Sequence, residues 1–322
     1  MDTKLISTPA PLYDDPVWGG ASDPAIIRNR ETGEWWMFYT QRRSFGYQFG
    51  VTSYHGTDIG IAVSKDGLKW LYRGIAEGLV IDWGRNTFWA PEVIFAQGQY
   101  HMYVSYIVGV PADWSGTARI AHFTSDNLYG WRFEEFADLD SDRVIDACIY
   151  ELHDGRFKMW YKDERRESHI CAAVSADLRR WELCGEEITD CASEGPNVFC
   201  LGGKIWMITD TWNGLGVYSS EDFCSWVRQE RDLLKEPGMR PGDGQIGNHA
   251  DVVTTGDKGF IFYFVHPDYP AERRKTDHGA PTFREMHTVI QCALLEIKGG
   301  QLVSDRNRDF DIRKMGDICD EV

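Results

Sequence analysis

Short bursts of apolar residues recur along this chain, each bounded by glycine and polar residues. Five of them are rich in aromatics and open at a glycine: Gly33 to Tyr39, Gly98 to Val104, Gly155 to Tyr161, Gly203 to Ile208 and Gly259 to Phe264. Runs of this length are too short for amphipathic helices, and their aromatic and β-branched content suits pleated strands. A second short strand precedes each run, starting 8 to 10 residues before its glycine. Set in register, these leading strands read Asp23-Pro24-Ala25-Ile26-Ile27, Ala90-Pro91-Glu92-Val93-Ile94, Asp146-Ala147-Cys148-Ile149-Tyr150, Glu194-Gly195-Pro196-Asn197-Val198 and His249-Ala250-Asp251-Val252-Val253. Their starts are 67, 56, 48 and 55 residues apart. Two such strands joined by a polar, glycine-marked turn make a hairpin.

A second hairpin follows in every unit. In four units its turn runs from serine to tryptophan: Ser64 to Trp70, Ser125 to Trp131, Ser175 to Trp181 and Ser219 to Trp226. Ser and Asp side chains there can bond the turn backbone, and the Trp can pack on the next sheet. The fifth unit has Lys298-Gly299-Gly300-Gln301-Leu302 instead, as suits a terminal repeat. Four strands per unit and five units predict an all-β fold, a five-bladed β-propeller with antiparallel blades. One blade cannot bury both of its faces, whereas a closed ring can. A single domain over 1–322 is expected, with residues 1–20 closing or covering the ring. The long connections 41–57, 107–117 and 267–287 are expected to wall a pocket.

Composition narrows the partners. The formal net charge is −16, with 50 Asp and Glu against 34 Lys and Arg. No basic stripe stands out, so a nucleic-acid backbone is excluded as a ligand. The same charge repels acidic polymers and favours a neutral oligosaccharide. No apolar run approaches the roughly 18 residues of a membrane span. The N-terminal Met1-Asp2-Thr3-Lys4-Leu5 lacks the basic and apolar regions of a signal peptide, which predicts a cytoplasmic protein. Eight cysteines form no CxxC pair and are read as reduced, structural thiols. The sequence sets no oligomeric state.

The repeat also carries chemistry. Equivalent positions in successive blades lie on a circle around the axis, so the residues opening the innermost strands point into one mouth of the central channel. In this register they are Asp23, Ala90, Asp146, Glu194 and His249. Inward carboxyls are costly unless paired or used. Like charges a few ångström apart keep at least one group protonated near neutrality. One protonated and one ionised carboxyl are the machinery of glycoside hydrolysis, and their spacing around a five-blade ring favours inversion. Trp89 precedes an axis-facing position, and Trp18 and Trp212 lie near strand ends on the same face; all three are candidates to stack on a sugar. Glu92 reads as a structural hydrogen-bond partner. HExxH is absent, and His with oxygen donors is not a zinc pattern.

Ser22-Asp23-Pro24, Trp89-Ala90-Pro91-Glu92, Val144-Ile145-Asp146 and Ser193-Glu194-Gly195-Pro196 together resemble the ordered blade motifs of glycoside hydrolase family 43. The resemblance spans essentially the whole chain, with Glu92 where the family carries Asp. It implies that Asp23 is the general base, Glu194 the general acid, and Asp146 the residue that orients Glu194 and raises its pKa. It also implies that His249 lies near the axis and helps hold a structural calcium ion through waters, with no cofactor required. The expected activity is exo-acting hydrolysis of short oligosaccharides such as α-L-arabinofuranosides or β-D-xylosides. Alternatives are an anhydro-L-galactosidase-type or other propeller glycosidase, a phosphorolytic relative, and a non-catalytic carbohydrate-binding propeller. A lectin would repeat one site in every blade, whereas these five axis positions differ chemically.

Overall fold

The computed structural model describes residues 7–43, 49–256, 258–269 and 282–317. Twenty strands form five four-stranded antiparallel sheets. Blade 1 holds β1 (Ala21–Arg28), β2 (Trp35–Gln41), β3 (Asp58–Ser64) and β4 (Leu71–Ile75). Blade 2 holds β5 (Thr87–Ala96), β6 (Gln99–Ile107), β7 (Arg119–Ser125) and β8 (Arg132–Phe136). Blade 3 holds β9 (Val144–Glu151), β10 (Phe157–Asp163), β11 (His169–Ser175) and β12 (Glu182–Ile188). Blade 4 holds β13 (Glu194–Leu201), β14 (Lys204–Asp210), β15 (Leu215–Ser220) and β16 (Val227–Arg228). Blade 5 holds β17 (Asn248–Thr255), β18 (Lys258–Val265), β19 (Val289–Lys298) and β20 (Gln301–Ser304). The leading strands touch in a closed cycle, β1 to β5 to β9 to β13 to β17 and back to β1. This is the five-bladed propeller that the repeat predicts.

The second strand of each blade is largely apolar on both faces because both are buried. In β2, Met37 and Tyr39 join a core shared with Phe260, Phe262 and Ile290 of blade 5. Phe38, between them, points the other way into a core with Val104 and Phe123 of blade 2. Period-2 alternation thus divides each strand between two inter-blade cores. The Ser-to-Trp turns serve the same packing. Ser64 Oγ accepts from Gly67 N–H, Asp66 Oδ1 accepts from Leu68 and Lys69 N–H, and Trp70 Nε1 donates to Gly67 O.

The segment before β1 runs beside blade 5. Tyr13 bridges to Ile290, Gly20 bridges to Thr288, and Thr8 N–H donates to Phe310 O. The seven described cysteines are free; Cys148, Cys171 and Cys292 are buried, while Cys184 and Cys224 are exposed because they lie on an outermost strand and a rim turn.

A belt of side chains pins neighbouring blades along the axis. Glu92 Oε1 accepts from Ile149 N–H at 2.9 Å, Cys148 Sγ from Val198 N–H at 3.2 Å, and Asp251 Oδ2 from Ile26 N–H at 2.6 Å. Glu92 therefore has the structural partner expected of it.

Candidate active site

Every leading strand carries a one-residue bulge at the mouth of the channel. The pairs that bracket it are Ser22–Thr40 and Ala25–Phe38, Trp89–Ser105 and Glu92–Tyr103, and Ile145–Lys162 and Cys148–Trp160. In blades 4 and 5 they are Glu194–Asp210 and Asn197–Ile208, and Asn248–Phe264 and Ala250–Tyr263. Asp23, Ala90, Asp146, Gly195 and His249 thus share one position. The first four take left-handed backbone, with φ of 50°, 45°, 59° and 55°. Asp tolerates that region better than most side chains, and Gly adopts it freely.

Glu194 does not share this position. It stands one residue earlier, level with Ser22, Trp89 and Ile145. The sequence register is off by one in blade 4: Pro196, not Gly195, matches Pro24 and Pro91. The glycine has a second reason to be there. A Cβ on Gly195 would lie 2.7 Å from Cγ of the His249 ring. Gly195→Ala is therefore expected to lower stability by more than about 1 kcal/mol, combining left-handed strain with the clash. Chemical denaturation should show it, and the loss should shrink in a His249→Ala background, where the clash is gone.

Neighbouring blades hold these bulges. Thr40 Oγ1 accepts from Ala90 N–H at 2.8 Å, Ser105 Oγ from Asp146 N–H at 3.0 Å, and Asp210 Oδ2 from His249 N–H at 2.7 Å. In blade 3 that place belongs to Lys162, which cannot accept. There Asp146 Oδ2 accepts from Gly195 N–H at 3.1 Å, so Asp146 fixes the peptide next to Glu194.

Three carboxyls and the imidazole meet in one cavity of about 330 Å³. His249 Nδ1 lies 3.7 Å from Asp23 Oδ1 and 3.8 Å from Asp146 Oδ2. Ser22 Oγ donates to Asp23 Oδ2 at 3.1 Å. Glu194 is gripped at both oxygens, by Trp212 Nε1 at 2.9 Å and by Lys162 Nζ at 3.0 Å. Lys162 also reaches Glu164 at 3.6 Å. Burial pushes Asp146 up to about 7; His249 and Lys162 pull it down, and Glu194 and Asp23 push it up. Burial likewise raises Asp210 to about 7, with Glu194 adding. For His249, burial alone lowers basicity, but Asp146, Asp23, Glu194 and Asp210 together outweigh it and raise it. Burial is the larger cause for both Asp146 and Asp210, and the Glu194 carboxylate adds to each.

Trp89 and Trp212 line the cavity, and Trp18 does not. Trp18 belongs to the segment pinned along blade 5, with its backbone N–H on Asp15 Oδ1. Trp89 is anchored by its Nε1 on Tyr54 O at 2.7 Å. Trp212 follows an Asx turn in which Asp210 Oδ1 accepts its N–H at 2.7 Å. Connection 41–57 contributes Arg42 and Tyr54, and connection 107–117 contributes Trp114. The stretch 270–281 of the third connection lies outside the described residues. Sequence reasoning missed Arg42, Trp114, Lys162 and Asp210. Lys162 left a trace, a lysine within the apolar run of β10; the others look like ordinary strand-end and loop residues.

A directly ligated metal finds little support in the donor set. Among the described residues no group of three or more His, Cys, Asp or Glu is placed to hold an ion. His249 Nδ1 instead faces Asp23 and Asp146.

A five-bladed propeller with three carboxyls converging in an aromatic-walled axial cavity has the form of a sugar-cleaving enzyme. A family model described as a probable glycosyl hydrolase domain, related to glycoside hydrolase family 43, matches residues 12–237. The chain belongs to this family and is a glycosidase. Solved structures repeat the fold. A thermostable family-43 glycoside hydrolase is 21% identical, with TM-score 0.67, covering 91% of this chain and 96% of that one. A family-43 β-1,3-galactosidase solved with galactodeoxynojirimycin is 15% identical, with TM-score 0.67, over 95% and 100% of the two chains. An exo-1,5-α-L-arabinanase from a bovine ruminal metagenomic library is 14% identical, with TM-score 0.58, over 88% and 96%. No curated protein matches the sequence.

Proposed function

We propose that this glycosidase is exo-acting and inverting, with a short neutral oligosaccharide as substrate and an α-L-arabinofuranoside, β-D-xyloside or galactoside at the cleaved end. The observation that carries the reading is the convergence of Asp23, Asp146 and Glu194 from three blades into one cavity. Its volume of about 330 Å³ lies near the lower end of the roughly 300–1,000 Å³ usual for ligand pockets, which suits a terminal sugar better than a polymer. Trp89, Trp114 and Trp212 offer faces for sugar rings. The named activities of the similar structures, a β-xylosidase and an exo-arabinanase among them, support the same sugar classes.

In this reading Asp23 takes a proton from water as that water attacks the anomeric carbon. Glu194 gives its proton to the departing glycosidic oxygen, and the products are an inverted hemiacetal and an alcohol. Ser22 aims the Asp23 carboxylate, and Asp146 sets the backbone beside Glu194. When Glu194 carries its proton, Lys162 retains Glu164 as a partner.

A panel of nitrophenyl glycosides and natural oligosaccharides tests the activity, and proton NMR of the first-formed product tests the stereochemistry. The expected product is the anomer opposite to the substrate. Retention of configuration would exclude a water-activating Asp23.

A further inference from the structure

Arg42 is a cation in the cavity that the proposed chemistry does not use. Its backbone is fixed on both sides, by Arg42 N–H on Gly20 O at 3.0 Å and Gly19 N–H on Arg42 O at 2.9 Å. Its guanidinium carbon lies over two aromatic rings, 5.4 Å from the Tyr54 centroid and 5.7 Å from that of Phe264. Nε donates to Ser22 Oγ at 2.9 Å, and Ser22 Oγ donates in turn to Asp23 Oδ2 at 3.1 Å. The terminal nitrogens have no hydrogen-bond partner among the described residues, and no described carboxylate ion-pairs with the group.

A guanidinium is a flat fork of five N–H donors. Here one donor is spent, and the rings leave the in-plane edge as the direction in which the rest can bond. That edge suits two neighbouring oxygens, a geometry that a lysine cannot match. The chain to Asp23 places the fork beside the group that activates water. In the proposed reading, a sugar whose anomeric carbon is attacked near Asp23 would occupy the same cavity that Arg42 lines.

We infer that Arg42 is a specificity-determining residue that reads a pair of adjacent free hydroxyls on the cleaved terminal sugar. This rests on the proposed function and narrows it: the substrate presents an unsubstituted vicinal diol toward blade 1. A sugar blocked at either oxygen is rejected, because it would cover these donors and leave them unpaired.

The test crosses protein and substrate changes. The nitrophenyl arabinofuranoside, xyloside or galactoside that the wild type hydrolyses best is compared with its monodeoxy analogues, using wild type, Arg42→Ala, Arg42→Lys and Ser22→Ala. Arg42→Ala is expected to lower kcat/KM on the parent glycoside about 10- to 100-fold, the scale of charge-assisted hydrogen bonds. On the analogue lacking one of the paired hydroxyls it should cost less than about threefold, since the wild type has already lost that bond. Arg42→Lys should recover only part of the loss on the parent. Ser22→Ala removes the Nε anchor together with the contact to Asp23, so it should lower the ratio of parent to deoxy rates no further than Arg42→Ala does. An equal loss on the parent and every deoxy analogue would overturn the inference; that result makes Arg42 a support for Asp23 rather than a reader of the sugar. Failure of the wild type to cleave any of these glycosides is a different result, and it overturns the proposed function itself.

Discussion

Glu194→Gln is expected to cut hydrolysis of a sugar-linked or alkyl glycoside by at least about a hundredfold, and to leave a dinitrophenyl glycoside far less affected. A poor leaving group needs a proton as its bond breaks. Dinitrophenolate leaves without one, so losing the acid costs little. Asp23→Asn should lower both substrates alike, again by at least about a hundredfold, because water must be activated whatever leaves. The two variants therefore separate acid from base by leaving group, not merely by size of effect. Gln at 194 keeps an oxygen for the Trp212 indole N–H and loses the ion pair with Lys162, so thermal unfolding of both variants should accompany the kinetics. A Glu194→Gln loss that is equal on both substrates would remove Glu194 from the role of proton donor.

The second expectation concerns stability. Raising the pH from about 6.5 to 8.5 should destabilise the protein, and Glu92→Gln should flatten that fall. Burial, with Asp251 adding, pushes Glu92 up to about 8. Asp146, Asp210, Asp251 and His249 are raised as well. A folded-state value above the unfolded one gives stability that is present at low pH and lost as pH climbs through the folded value. All five groups act with this sign. Buried His101 and His122 act oppositely, since burial lowers both and their unfolded forms take up protons below about pH 6.5. Most of that opposing contribution falls below 6.5, and only about 0.4 kcal/mol from each histidine remains above it. There Glu92 alone is worth up to about 2 kcal/mol, at ~1.4 kcal/mol per pH unit, with some trimming because its side chain is only partly buried. Gln can still accept from Ile149 N–H, so the variant should fold. A wild-type melting temperature that stays flat or rises across the window would refute the account of a desolvated axial belt.

Much of this molecule was legible before any coordinate. The five apolar runs and the five Ser-to-Trp or Gly-Gly turns determined blade number, strand number and hairpin connectivity. The reason is local: period-2 patterning, glycine at turns and Asx hydrogen bonding depend on residues a few positions apart. The repeat also determined which strands reach the axis, and so brought Asp23, Asp146, His249 and the region of Glu194 together on paper.

Tertiary structure decided the rest. It placed Glu194 one residue before the bulge rather than within it, because register depends on backbone pairing, and a one-residue slip moves a side chain to a different place in the site. By chemistry the repeat equates Glu194 with Asp23, whereas the fold equates Gly195 with Asp23 by backbone conformation. It sent Trp18 to blade 5, through bridges that join Tyr13 to Ile290 and Gly20 to Thr288. It also brought Lys162 onto Glu194 and Arg42 beside Asp23. Neither lysine nor arginine announces such a partner in the sequence, because the partner lies on another blade or is reached through another side chain. Local pattern determined the ring and its carboxyls; only the closure of that ring decided which donors hold them and which one still faces the cavity unspent.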